Sequence, residues 1–347
     1  MTDLRLLQAI SGGEQGGAEA FFVRLVLALE RAGVSQRILV RSGRAWISAL
    51  RERDLDLVEL PFGGWADFTT KRTFAREVKN FRPHIALTWM NRASRLCPPQ
   101  VLEHDFCHVA RLGGYYDLKY YRNCDHLVGN TEDIVSYLRD QGWPTEKCHY
   151  LPNFVSAETK QAVERKALKT PESVPLLLAL GRLHRNKAFD VLLRALAELP
   201  EAHLWLAGSG PEEHTLKSLA AKLGVASRLH LLGWREDVAA LLAAADILVC
   251  PSRIEPLGNV VIEAWAQGTP VVASAAVGPM NLIVPGENGL IVPLEDASAL
   301  ALSVRTLIDN PLLAKRLSEA GRTVYEERYA EKVVVQRYLK FFQSVRS

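Results

Sequence analysis

The chain has 347 residues, too many for one ordinary core and comfortable for two domains. Apolar residues make up 48% and charged residues 23%, as in globular proteins, and a formal net charge of +3 is far from that of a nucleic-acid binder. Five cysteines, an odd number with no C-x-x-C pair, argue against a disulfide framework or a zinc knuckle and fit a reducing, cytoplasmic compartment.

The opening MTDLRLLQAISGG reads as a strand ending in glycines, not as a secretory signal. No apolar run approaches the roughly 18 residues that a membrane span requires. Strand-like runs then recur along the first half: Leu4–Ile10, Gln36–Arg41, Leu57–Pro61, His84–Trp89, His108–Leu112 and His126–Gly129. Helix-length segments separate them, among them Gly17–Ala32 and Glu132–Gln141. A polar, charge-mixed stretch from Asn153 to Val174 interrupts the pattern and is expected to connect two domains. The alternation resumes with strands Leu176–Gly181, His203–Ala207, Leu229–Leu232, Ile247–Cys250, Pro270–Ala273 and Leu290–Pro293, with helices over Phe189–Leu199 and Glu212–Leu223. Alternating strands and helices predict parallel sheets covered on both faces. Runs such as LLLALG and ILVCP, apolar throughout, are what such strands look like. The expected architecture is α/β, two Rossmann-like doubly wound domains facing a cleft. The first spans 1–155, a connection 156–174 and the second 175–328; the last helix, from about 329, crosses back to the first domain.

The most informative stretch is CPSRIEPLGNVVIEAWAQGTPVVAS, residues 250–274. A buried strand ends, a loop carries Glu255 and Gly258, and a helix begins near Asn259. The amides of Gly258, Asn259 and Val260 then point out of a helix N-terminus, an arrangement suited to a phosphate. Glu255 and Glu263 lie eight positions apart and reach hydroxyl groups on either side of a diphosphate. In ALGRLHRNKAFDVLLRAL, residues 179–196, Arg182 and Lys187 follow a buried strand. Two cations there can neutralise a diphosphate leaving group. The loop SGGEQGGAE, residues 11–19, places Gly16 and Gly17 before a helix, where amides can approach a phosphate. It is not the dinucleotide fingerprint, because Glu14 stands at the middle glycine.

These residues resemble the retaining family 4 glycosyltransferases of the GT-B fold. The likeness rests on GGAE at 16–19, GRLHRNK at 181–187, LAGSGP at 206–211, LLGWREDV at 231–238 and the Glu255-x7-Glu263 block. It implies a retaining transfer of a sugar from a nucleoside-diphosphate-sugar. In that reading Arg182 and Lys187 bind the diphosphate, Glu255 the transferred sugar and Glu263 the ribose. Gly16, Gly17, Gly208, Gly210, Gly258, Asn259 and Val260 line the donor site, and Trp234 and Arg235 form the wall that receives the base. Many members carry a His-Gly pair after the fifth strand. Here the stretch reads ARLGGYYDLKYY, with Gly113 at that histidine's place, so either His104, Asp105 or His108 substitutes or the sugar contacts differ.

No metal or other cofactor is expected. Asp54-Leu55-Asp56 has an Asp-x-Asp spacing but leads into a strand, away from the glycine loops. The acceptor is expected on the first domain, near Tyr115 and Tyr116, whose rings suit stacking on sugars. The segment FTTKRTFAREVKNFR, residues 68–82, carries five cations against Glu77, with Phe74, Val78 and Phe81 at helical spacing. Two readings stand: a surface helix with its aromatic face in the core, or a basic face toward anionic lipid or a phosphorylated glycan. The likeness suggests a glycan or lipid-linked acceptor, as in lipopolysaccharide biosynthesis, reached from the inner face of the cytoplasmic membrane; nucleic acid is not expected as a partner. The alternatives are a sugar-nucleotide epimerase of the same fold and a nucleotide- or glycan-binding module without turnover.

Overall fold

A computed structural model describes residues 3–14, 16–53, 55–64, 67–99, 105–155 and 161–346. The chain divides into two units: residues 1–153 with 332–347, and residues 154–331. The first holds a seven-stranded sheet of β1 (Arg5–Ile10), β2 (Ser35–Arg41), β3 (Leu57–Leu60), β4 (Ile85–Trp89), β5 (Cys107–Leu112), β6 (His126–Gly129) and β7 (Cys148–Tyr150). Its order is β3-β2-β1-β4-β5-β6-β7. The second holds β8 (Leu176–Leu180), β9 (His203–Ala207), β10 (Leu229–Gly233), β11 (Ile247–Cys250), β12 (Val271–Ser274) and β13 (Leu290–Val292) in the order β10-β9-β8-β11-β12-β13. All the pairings are parallel. Both units are therefore Rossmann-like and doubly wound, with the strand order reversing between β1 and β4 and between β8 and β11. Such sheets take ligands at the carboxyl ends of the strands beside that reversal.

The period of two in a strand explains why these sheets need helices on both sides. In the second unit Leu177, Ala179, Leu204, Leu206, Ile247 and Val249 pack into one core. Their chain neighbours Leu176, Leu178, Leu180, Trp205, Leu248 and Cys250 pack into the other. Each leucine, isoleucine or valine among them contributes about 1.5–3 kcal/mol on burial. In the first unit the helix Gly17–Arg31 buries Phe21, Phe22, Leu25, Val26, Ala28 and Leu29.

The strand β7 has no counterpart among the expected elements: its three residues, Cys148, His149 and Tyr150, are too short a run to carry a strand periodicity. The polar stretch expected as a connection behaves differently from a linker where it is described, from residue 161; residues 156–160 lie outside the described residues. Arg165 donates to the carbonyls of Ala244 (3.0 and 2.7 Å) and Val174 (3.1 Å) and pairs with Asp246 at 2.8 Å. Trp205 Nε1 donates to Thr170 Oγ1 at 2.8 Å. Residues 161–174 thus belong to the second unit's wall. The helix Glu331–Val345 lies almost wholly in the first unit, burying Val334, Val335, Tyr338, Phe341 and Phe342. Arg111 of β5 receives it: its Nε donates to Tyr338 Oη at 3.0 Å, and its guanidinium lies 4.6 Å from the rings of both Phe21 and Trp89. All five cysteines are buried free thiols.

Candidate active site

The residues expected to bind the diphosphate come together at the carboxyl ends of β8 and β11, at the strand-order reversal of the second unit. After β8 the chain runs through Gly181 and Arg182 into the short turn Arg185–Lys187. Leu183 N donates to Ser209 O (2.9 Å) and Glu212 N to Leu183 O (3.0 Å), which zips this loop to the one after β9. The zipper leaves no room for side chains. Gly208 has φ +150°, and a Cβ there would fall inside the Gly181 carbonyl oxygen; at Gly210 it would strike Leu183 O. Gly208 and Gly210 therefore act by letting two site loops touch.

After β11 the loop returns to this point. Arg253 N and Ile254 N both donate to Asn186 O, at 2.8 and 3.1 Å. Lys187 Nζ forms an ion pair with Glu255 Oε2. The Glu255 carboxylate is 8% exposed and also accepts from Gly258 N at 3.3 Å. Gly258 caps the helix Asn259–Gln267 in the left-handed region, φ +73°. The helix therefore starts beside Glu255, with the amides of Asn259 and Val260 in its first turn and Glu263, half-buried, one turn on. Arg182 is exposed and has no ion pair among the described residues. The elements that follow β8 and β11 thus carry two cations, helix amides and two carboxylates.

One residue here went unnoticed in the sequence. The Arg253 guanidinium donates to Asp190 Oδ1 and Oδ2 (2.8 and 2.9 Å), to Glu295 Oε1 and Oε2 (the latter at 2.8 Å) and to Arg185 O (2.7 Å). Those hydrogen bonds, to Asp190 first and then to Glu295, hold the guanidinium above its ordinary pKa. Partial burial opposes ionisation of Asp190, but the bonds from Arg253 and Arg194 outweigh it and hold the carboxyl at about 2. No spacing rule points to this clamp, because its partners come from elements distant in sequence.

The remaining donor-side expectations divide. Trp234, just past β10, is 61% exposed, its face open for stacking. The Arg235 guanidinium is held by Asp237 at 2.7 and 2.5 Å. In the first unit Gly16 precedes the helix Gly17–Arg31, but the loop's own carboxylate takes part of the anion site: Glu19 Oε1 accepts from Gly13 N at 2.6 Å. A Cβ at Gly16 would collide with the same carboxylate, whereas one at Gly17 would meet nothing.

Two of the expected substitutes for the missing histidine are corrected. His108, the second residue of β5, is 1% exposed and bonded to Thr88 Oγ1 and Asn123 O, both at 3.0 Å. Burial pushes its imidazole down to about 4 despite Asn123 and Asp125, so it is a neutral core residue. Asp105 is exposed but precedes β5 and so lies at the amino end of the sheet, opposite the site loops. His104 lies outside the described residues. Tyr115 is half-exposed, hydrogen-bonded to Asp133 and edge-on to Tyr137 at 5.3 Å; Tyr116 is half-buried. Asp56 is committed to Arg37 at 2.6 Å, and Asp54 lies outside the described residues.

A Rossmann-like unit whose strand ends carry paired cations, a helix N-terminus and two carboxylates is built to hold a phosphorylated substrate. Residues 160–324 match the family described as glycosyl transferases group 1. The chain is 37% identical over 344 residues to the lipopolysaccharide core biosynthesis glycosyltransferase LpsE of Rhizobium meliloti, covering 96% of this chain and 97% of that protein. It belongs to this family and is a glycosyltransferase. Among solved structures it resembles a glycosyltransferase from Rickettsia africae (TM-score 0.89, 19% identity, 99% of each chain). It also resembles Anabaena HepE in complex with UDP (TM-score 0.87, 18% identity, 98% of this chain and 100% of that one).

Proposed function

We propose that the enzyme moves a sugar, with retention of configuration, from a nucleoside-diphosphate-sugar to a growing lipopolysaccharide-type glycan. The observation that carries the donor is the meeting of Lys187, Glu255 and the Gly258–Val260 helix start at one strand-order reversal. The HepE structure, bound to UDP, supports a nucleoside diphosphate, and the likeness to LpsE supports the glycan. As the nucleotide diphosphate leaves, negative charge grows on its oxygens, and fixed cations and amides stabilise it without reorganising. Because Arg182, Lys187 and the helix amides supply that charge, activity is expected to survive EDTA; complete, metal-rescued loss would contradict it.

The two carboxylates divide the work, Glu255 on the sugar and Glu263 on the ribose. Calorimetric titration with the nucleoside diphosphate product tests this. Glu263→Ala is expected to weaken product binding about tenfold, a hydrogen bond to a charged group being worth roughly 1.5–3 kcal/mol. Glu255→Ala should bind product nearly normally yet lose transfer. Equal losses of product affinity contradict the division.

The basic segment supports a membrane-visiting enzyme. In the helix Phe68–Phe81, Phe74 and Val78 are buried in the core, as the first of the two readings expected. Glu77 is turned inward to Arg37 at 2.5 Å. Lys71, Arg72, Arg76 and Lys79 remain on the outside, with Phe68 66% exposed at the helix start. A basic face tipped by an aromatic ring suits an anionic lipid surface. Among the described residues no helix is long and apolar enough to cross a membrane. Co-sedimentation with vesicles is expected to require anionic lipid and to weaken in high salt, since charge is screened over about 8 Å at physiological ionic strength. Combining Lys71→Glu, Arg72→Glu and Lys79→Glu should abolish it while sparing donor binding; a wild type indifferent to anionic vesicles contradicts this part.

A further inference from the structure

Asn130 is the residue after β6, and it is 7% exposed. Its backbone amide donates to Leu112 O at 3.3 Å, but its side-chain Oδ1 is buried without a hydrogen-bond partner. Buried amide groups in folded proteins are nearly always paired, because an orphaned one costs its full desolvation. Capping does not account for it: the neighbouring Thr131 does that work, its Oγ1 accepting from Ile134 N at 3.1 Å. No side-chain bond of Asn130 is found among the described residues.

The surroundings point to a ligand. Leu112 pairs with Gly129, so the residues that follow them, Gly113 and Asn130, leave the sheet side by side at its carboxyl edge. The Asn130 Nδ2 lies 3.4 Å from where a Cβ of Gly113 would stand. Gly113 is exposed and, being glycine, places no side chain over the Asn130 Nδ2. Next to it, the Tyr116 ring and hydroxyl lie 3.5 and 3.6 Å from where a Cβ of Gly114 would stand. Burial raises the Tyr116 phenol's pKa, Arg111 opposing and Glu19 adding to the shift, so the phenol is a neutral donor within the field of the Glu19 carboxylate. A neutral amide and a neutral phenol around two bare glycines match groups that both give and accept hydrogen bonds.

We propose that Asn130, with Tyr116 beside the Gly113–Gly114 turn, forms a subsite that reads hydroxyl groups of a saccharide. This rests on the transferase reading above. An amide presents a donor and an acceptor in one plane, the complement of neighbouring sugar hydroxyls, and Tyr116 adds a ring face and a third polar contact. The sugar is either the one transferred or the one that receives it.

The test is Asn130→Ala in the full chain. Removing an orphaned amide relieves an unpaid desolvation, so the melting temperature is expected to stay level or rise. Transfer should nonetheless fall, with kcat/KM down about tenfold for the loss of one hydroxyl contact. The probes are UDP-glucose, UDP-galactose and GDP-mannose with a truncated lipopolysaccharide core as acceptor, and UDP and GDP alone for binding. If the subsite holds the donor's sugar, hydrolysis without acceptor falls in step while UDP or GDP binds as in wild type. If it holds the acceptor's sugar, hydrolysis is unchanged and the acceptor KM rises. Unchanged kcat/KM with both substrates overturns the proposal, as does a melting temperature that drops in parallel with activity. A wild type that neither binds nor turns over any of these nucleotides overturns the transferase reading itself.

Discussion

Lys187→Ala is expected to lower turnover by about two orders of magnitude while leaving the fold in place. The ammonium sits at the end of the Arg185–Lys187 turn, 23% exposed, in an ion pair with Glu255. No core depends on it, so the fold should persist, and the stability lost is that of leaving the Glu255 carboxylate without its cation. In the proposed transfer the contribution of Lys187 is to the leaving group, where one fixed charge contact is worth roughly 3 kcal/mol in the transition state, and each 1.36 kcal/mol is about a factor of ten in rate. The loss should fall on kcat more than on donor KM, because the charge develops only as the bond breaks. Lys187→Arg should recover part of the rate, since a guanidinium also carries the charge but not from the same point. Because Lys187 also balances a nearly buried carboxylate, Glu255→Ala added to Lys187→Ala should cost less than the two single losses combined. Steady-state kinetics on the four variants and the wild type, with circular dichroism to verify folding, decide it; wild-type kcat in Lys187→Ala removes Lys187 from the site.

The grouping of the residues proposed for the donor side was legible because their placement is written locally. The cations at 182 and 187, the carboxylate at 255 and the glycine at 258 each follow a buried apolar run on its loop, the carboxylate at 263 sits on the helix that this loop opens, and a parallel strand delivers whatever follows it to the same edge of the sheet. What was missed depended on partners distant in sequence or on residue types out of their usual place. His108 looks like a ligand because histidine is polar, yet β5 is buried along its whole length and its side chain lies in the core against Thr88. The stretch after residue 160 reads as a linker because it is charged, yet Arg165 spends its charge on carbonyls and Asp246 of the second unit. Asn130 is invisible because nothing in a sequence marks a side chain that ends up buried without a partner.

Arg253→Met should be the next most damaging change, and its effect should run through Lys187. All five guanidinium N–H groups are used, on Asp190, Glu295 and the Arg185 carbonyl, so one side chain ties together the loop after β8, the loop after β11 and the turn after β13. Methionine keeps much of the length and the apolar stem but none of the bonds. With Arg253 only about a fifth exposed, the two ion pairs fall between the surface and buried limits, and a stability loss of about 1–2 kcal/mol is expected. Turnover should fall further than that, by about 30-fold, because a shift of one ångström in a site group is enough to cost such factors. Arg253→Lys offers three donors from a point charge in place of a planar fork and should restore only part of the rate. The decisive measurement is the double variant. If Arg253 acts by holding Lys187 against Glu255, then once Lys187 is alanine the further change to methionine should lower kcat by no more than a few-fold. If the 30-fold loss persists in the Lys187→Ala background, Arg253 acts on the donor by some other route, and the clamp is not what positions the ammonium.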